Sequence, residues 1–223
     1  MQKYLRFIGI LLMSLTAAFT TLGGVGTTCV AVAAEKYESM AAIVPYKWLY
    51  MIFVVVTTAI GVLGIRAVVL LVKGKPNGYR CSMVALLAGI VVGVIHIIVS
   101  RSLRGSSMPV DGVVYTTVLT FVVFLIFRIP GVWEVVDFSK SKADSKDAAG
   151  GMAALVMGGL ILSIQVWMAP THTFDGFNYG DAFHSQMVLV GGGLMAAGIG
   201  LLARAIWKPA GLLKMERETN TSI

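Results

Sequence analysis

Of 223 residues, 57% are hydrophobic and only 13% carry a charged side chain, about half the charged share of a soluble domain. A mean hydropathy of +0.84 makes a bilayer the expected solvent and excludes an ordinary water-exposed fold as the working expectation. The formal net charge of +7 has no basic stripe with interleaved aromatics behind it, so nucleic acid is not an expected partner.

In chain order, Lys3 and Arg6 open a long apolar stretch at 7–34. Ala31-Val32-Ala33-Ala34 before Glu35 has the small-residue pattern of a secretory cleavage site. The stretch is much longer than the roughly 7–15 residue apolar core of a signal peptide. It is therefore expected to be retained as the first span; cleavage would leave five spans. Gly23, Gly24 and Gly26 within it suggest a close helix crossing or a kink.

Further spans are expected at 48–72, 81–100 and 112–129. A helix needs roughly 20 residues to cross about 30 Å of hydrocarbon, so 112–129 is short and relies on Arg128 reaching the headgroups. Ala85, Gly89 and Gly93 recur at every fourth position of the third span, a face along which a neighbouring backbone approaches closely. An inner loop at 130–149 follows, with alternating charges from Lys140 to Asp147. Trp133 and Phe138 before them predict one weak amphipathic turn at the membrane surface. Spans at 150–169 and 184–206 enclose an outer loop at 170–183. Ala154 with Gly158, and Gly193 with Ala197, repeat the small-residue spacing.

The basic residues sort onto alternate sides. With the N-terminus inside, 14 of the 18 Lys and Arg lie on the cytoplasmic side, among them Arg66, Lys73, Arg80, Arg128 and Arg204, whereas Lys36, Lys47, Arg101 and Arg104 lie outside. The fold class expected is an all-α, polytopic transmembrane bundle of six spans with both termini cytoplasmic, multi-pass in the cytoplasmic (inner) membrane.

Chemistry is sparse. No Asp or Glu falls in the middle of a span; the polar groups there are neutral, such as Thr57, Thr58, Thr117, Thr120, Ser163 and Gln165. Cys29 and Cys81 are expected on opposite faces and unbridged, and no CxxC or CxxCH motif occurs. The three histidines, His96, His172 and His184, map to the outer half of the membrane or the outer loop. With Asp175 and Asp181 they form a candidate metal set for copper or zinc, or, through His96 and His184, for haem b. Their spacing matches no metal motif, and the simpler expectation is that His172 and His184 are interfacial loop residues and His96 a hydrogen-bonded packing residue. Trp167, Phe174, Phe177, Tyr179 and Phe183 are expected to form an aromatic cap at the outer surface.

By elimination, the leading expectation is a non-catalytic membrane subunit of a larger energy-transducing or electron-transfer complex. Its partners would be the lipid bilayer and other membrane subunits, or a second copy, through the small-residue helix faces. A small-solute or lipid transporter, expected to show a polar cavity reaching the midplane, and a redox protein using the outer histidines are the alternatives.

Overall fold

The computed structural model describes the backbone of residues 2–36, 38–136, 138, 143–168, 173–174 and 176–220, and the side chains of 5–36, 40–136, 138, 147–163, 176–178 and 180–205. The chain divides into two compact units, Met1–Lys140 and Ser141–Ile223.

The first unit holds α1 (Gln2–Ala33), two 3₁₀ segments (Ala34–Lys36 and Glu38–Tyr46), α2 (Lys47–Val72), α3 (Gly78–Arg104), α4 (Val110–Phe127) and the short α5 (Val132–Val136). Val, Ile and Thr are frequent in α2 and α4, residues that weaken a helix in water. In hydrocarbon the backbone has no alternative partner, and the helix is the structure that satisfies every N–H and C=O internally. The turn from α2 to α3 closes on Gly74, whose φ of 62° lets the Gly74 and Lys75 amides reach the carbonyls of Leu71 and Leu70 at 3.2 and 2.9 Å. This is a glycine C-terminal cap.

Four long helices make an antiparallel ring in the order α1, α2, α3, α4, closed by α4 against α1. The α1/α2 seam is backbone against backbone: a Cβ at Gly24 would sit 2.6 Å from Thr58 Oγ1, and one at Gly61 2.5 Å from Thr21 Oγ1. Gly64 meets Ala17 in the same way. Such approach is the expected consequence of small residues between membrane helices. The predicted face of α3 is used as well, with Gly89 against Thr117 and Ile60, and Gly93 against Val114. Across α1/α4, the Thr16 and Thr120 hydroxyls are 2.7 Å apart.

At the end of the ring where α1 begins, Arg6 is buried and donates to the Leu71 carbonyl at 2.9 Å, a cation on the C-terminus of α2. The sequence places Arg6 as a flanking headgroup charge; here it is folded into the helix ends. Near Gly9 of α1, Phe124 stacks on Phe138 and Phe127 lies tilted against both. The Arg128 guanidinium lies 4.9 Å from the Trp133 ring and 5.8 Å from Tyr79, so the residue expected to complete the short fourth span is held by aromatic faces. The turn predicted around Trp133 is α5. Cys29 and Cys81 form no disulfide, Cys81 lying near this end and Cys29 towards the other.

The second unit is a helical hairpin. α6 (Ala143–Met168) begins inside the expected inner loop 130–149, so that loop is shorter than its charge pattern suggests; residues 139–142 lie outside the described ones. α8 (His184–Asn220) continues well past the expected end at 206. The two pack antiparallel through reciprocal glycines: a Cβ at Gly158 would meet Gly191 O at 2.7 Å, and one at Gly198 would meet Gly151 O at 2.7 Å. Arg204 is paired with Asp147 at 3.1 Å; its charge is matched across the hairpin, where the sequence suggests only a reach to headgroups. Between the helices, β1 (Thr173–Phe174) and β2 (Phe177–Asn178) form a small antiparallel pair, followed by the one-turn α7 (Tyr179–Ala182). This pair is the one departure from helix among the described elements.

By length and composition, five helices are apolar enough to cross a membrane: Leu5–Lys36, Met40–Val72, Gly78–Arg104, Val110–Phe127 and His184–Ala205. A shorter apolar stretch, Asp147–Ser163, lies within α6.

Candidate functional site

The polar interior of the first unit gathers around His96. Four helices line a cavity of about 30 Å³: α1 through Thr20, Gly23 and Thr27, α2 through Thr57 and Ile60, α3 through Gly89, Val92, Gly93 and His96, and α4 through Val110, Val113, Val114 and Thr117. Thr20 and Thr57 stand near the middle of their helices, so the cavity reaches the centre of the ring. Small residues make the space: Gly23, Gly89 and Gly93 leave room where other residue types would close it.

His96 is 4% exposed. Its ring stacks on Phe53, with centroids 4.2 Å apart and planes 10° from parallel, and meets the Tyr50 ring edge-on at 5.5 Å. Tyr50 is fixed by a 2.8 Å hydrogen bond with Ser100, one turn along α3 from His96. The histidine packs among these rings, and its ring makes no hydrogen bond to another described residue. The hydroxyls of Thr20 and Thr57 also lack a partner among the described residues. Thr27 and Thr117, by contrast, donate to their own helices, to Gly23 O at 2.7 Å and Val113 O at 2.6 Å, the usual recourse of threonine inside a helix.

Beyond Ser100 the end of the ring is tied by charge. Arg101 donates through Nη2 to Asp111 Oδ1 at 3.0 Å and through Nε to Ser107 Oγ at 2.9 Å. Ser107 donates in turn to Asp111 Oδ2 at 2.6 Å. Asp111 is buried in the first turn of α4, where the helix dipole favours a carboxylate. Gly105, at φ 70°, caps α3 through its amide on Arg101 O at 2.9 Å. Arg101 from α3, Ser107 from the connection and Asp111 from α4 therefore lock two helices; the charge pattern alone assigns Arg101 to the outer side and does not single out Ser107 or Asp111. Arg104 donates to Met108 O at 2.8 Å.

The residues of the proposed metal set are placed as follows within each unit. His96 is buried in the first unit. In the second, His184 is exposed at the start of α8, and exposed Asp181 accepts from Asn178 Nδ2 at 2.9 Å while the Gly180 amide donates to Asn178 Oδ1 at 2.9 Å. His172 and Asp175 lie outside the described residues. Among the described residues no group of three His, Cys, Asp or Glu gathers. The cavity beside His96, at about 30 Å³, is an order of magnitude smaller than the roughly 300–1,000 Å³ of organic ligand pockets. Of the expected aromatic cap, Phe177 and Phe183 are exposed, and the side chains of Trp167, Phe174 and Tyr179 lie outside the described ones.

No protein-family model, curated protein or solved structure matches this chain.

Proposed function

We propose that this protein is a non-catalytic, multi-pass integral membrane subunit that packs into a larger membrane assembly. In this reading α6 is a span alongside α1–α4 and α8, making six, both termini face the cytoplasm, α1 is retained, and the membrane is the cytoplasmic one. The energy-transducing or electron-transfer setting belongs to the same proposal and rests on elimination at the sequence.

The observation that carries it is the open apolar surface of α8. Leu189 is 78% exposed, and Val188, Val190 and Ile199 are also exposed. Gly193 and Gly200 would meet nothing within 4 Å if given a Cβ. A strip that is both apolar and small suits a lipid-embedded helix against which another backbone can lie. Gly24 of α1, Gly61 and Gly64 of α2, and Gly89 and Gly93 of α3 are taken up by packing inside the first unit, whereas Gly193 and Gly200 of α8 meet nothing within the second.

The His96 cavity favours one second reading, passage of a very small polar species through the four-helix ring. Native mass spectrometry after mild extraction at natural abundance separates the readings. Co-migrating subunits are expected; a bare 23.8 kDa chain favours the transporter, and added metal or haem mass the redox alternative.

A further inference from the structure

We infer that the cavity among α1–α4 is a built water site, in which about two water molecules hydrogen-bond the His96 ring and the Thr20 and Thr57 hydroxyls inside the membrane-spanning ring. This goes beyond the subunit reading and does not depend on it.

Three polar side chains from three helices converge on this space without a protein partner: Thr20 from α1, Thr57 from α2 and His96 from α3. His96 and Thr20 are 4% and 5% exposed, and Thr57 is half-buried. A neutral imidazole offers one donor and one acceptor, and each threonine hydroxyl can donate and accept. Buried groups of this kind find partners in folded proteins, and ordered water is the usual one when the protein supplies none. The dimensions agree. One water requires about 10–15 Å³ on this measure and two to four polar neighbours, and the cavity offers about 30 Å³.

Other occupants fit less well. An apolar molecule would leave all three groups unsatisfied. A metal ion would find one imidazole and neutral hydroxyls, with no carboxylate or thiolate among the lining residues. At about 30 Å³ the space suits water-sized molecules better than an organic solute or cofactor. The surrounding packing also holds the site in shape: Phe53 and Tyr50 fix the imidazole plane, and the Tyr50–Ser100 bond fixes Tyr50.

The test is solid-state NMR on the full chain, labelled with ¹⁵N-histidine and reconstituted in lipid bilayers, with magnetisation transferred from water. His96 is assigned by the signal lost in His96→Gln. The expected result is rapid transfer from water to the His96 ring nitrogens, comparable to that at His184, and a severalfold slower transfer in the Thr20→Val, Thr57→Val double variant with His184 unchanged. Transfer to His96 from acyl-chain protons alone, or from a co-purified solute in place of water, would overturn the inference. The wild-type measurement decides the matter even if the double variant does not fold.

Discussion

Asp111 shows how far a single side chain here depends on its neighbours. Its carboxylate is buried with both oxygens engaged, by Arg101 and Ser107, while the Arg101 side chain is 55% exposed. Asp111→Asn removes the buried charge that organises both donors, and is expected to cost about 1–3 kcal/mol. Arg101→Gln loses a largely solvated partner and is expected to cost less than about 1 kcal/mol. Thermal unfolding in detergent, followed by tryptophan fluorescence, ranks the two; an equal or reversed order would contradict the structure's account of this junction. Thr120→Val is a milder case, since it keeps the shape and removes the hydroxyl that meets Thr16; membrane hydrogen bonds of this kind average about 0.6 kcal/mol. At this scale the sequence was partly legible. His96 could be read as a buried packing residue from its place in an apolar run, but the convergence of Thr20 and Thr57 on it depends on how α1 and α2 turn towards α3. Helices hydrophobic all round give no periodicity from which to read that rotation.

Among the elements, the α6/α8 hairpin gives the sharpest contrast. Gly158 and Gly159 are adjacent and identical in chemistry, yet a Cβ on Gly158 would lie 2.7 Å from a backbone oxygen of α8, whereas one on Gly159 meets nothing within 4 Å. Gly158→Val is therefore expected to force the helices apart and lower the unfolding temperature by several degrees, and Gly159→Val to leave it near the parent value. Similar losses at both positions, measured side by side, would mean that the helices do not pack in this register. The sequence located the small-residue spacing at Gly158 and missed its partner. It pointed to Gly193 and Ala197, both exposed, while Gly191 and Gly198 make the contact. The cause is the run Gly191-Gly192-Gly193, which offers a small residue in three successive phases, so that only packing selects among them. The β1/β2 pair was equally hidden, although Asp175-Gly176 is the dipeptide favoured in two-residue hairpins, because its strands are too short to show alternation. On α3 the pattern had a single phase, and Ala85, Gly89 and Gly93 were read correctly as a packing face.

For the molecule as a whole, the apolar runs were legible because a membrane span is recognised by length and lack of charge, which need no tertiary information. Five helices meet that standard. The sixth span rests on the apolar run at 150–169 and the orientation on the distribution of Lys and Arg, and α6 carries charged residues at its start that shorten its apolar part. The central claim is thus a six-span chain with both termini on the cytoplasmic side. Its most direct test is labelling of single cysteines, in a background lacking Cys29 and Cys81, with a membrane-impermeant maleimide in right-side-out and inverted vesicles. Asn77→Cys, between α2 and α3, and Ser222→Cys, near the C-terminus, are predicted to react only in inverted vesicles, whereas Ser106→Cys, between α3 and α4, and Gly176→Cys, between α6 and α8, react only in right-side-out ones. Reaction at Asn77→Cys and Ser222→Cys from opposite sides would contradict the account, because it requires an odd number of crossings between α3 and the C-terminus.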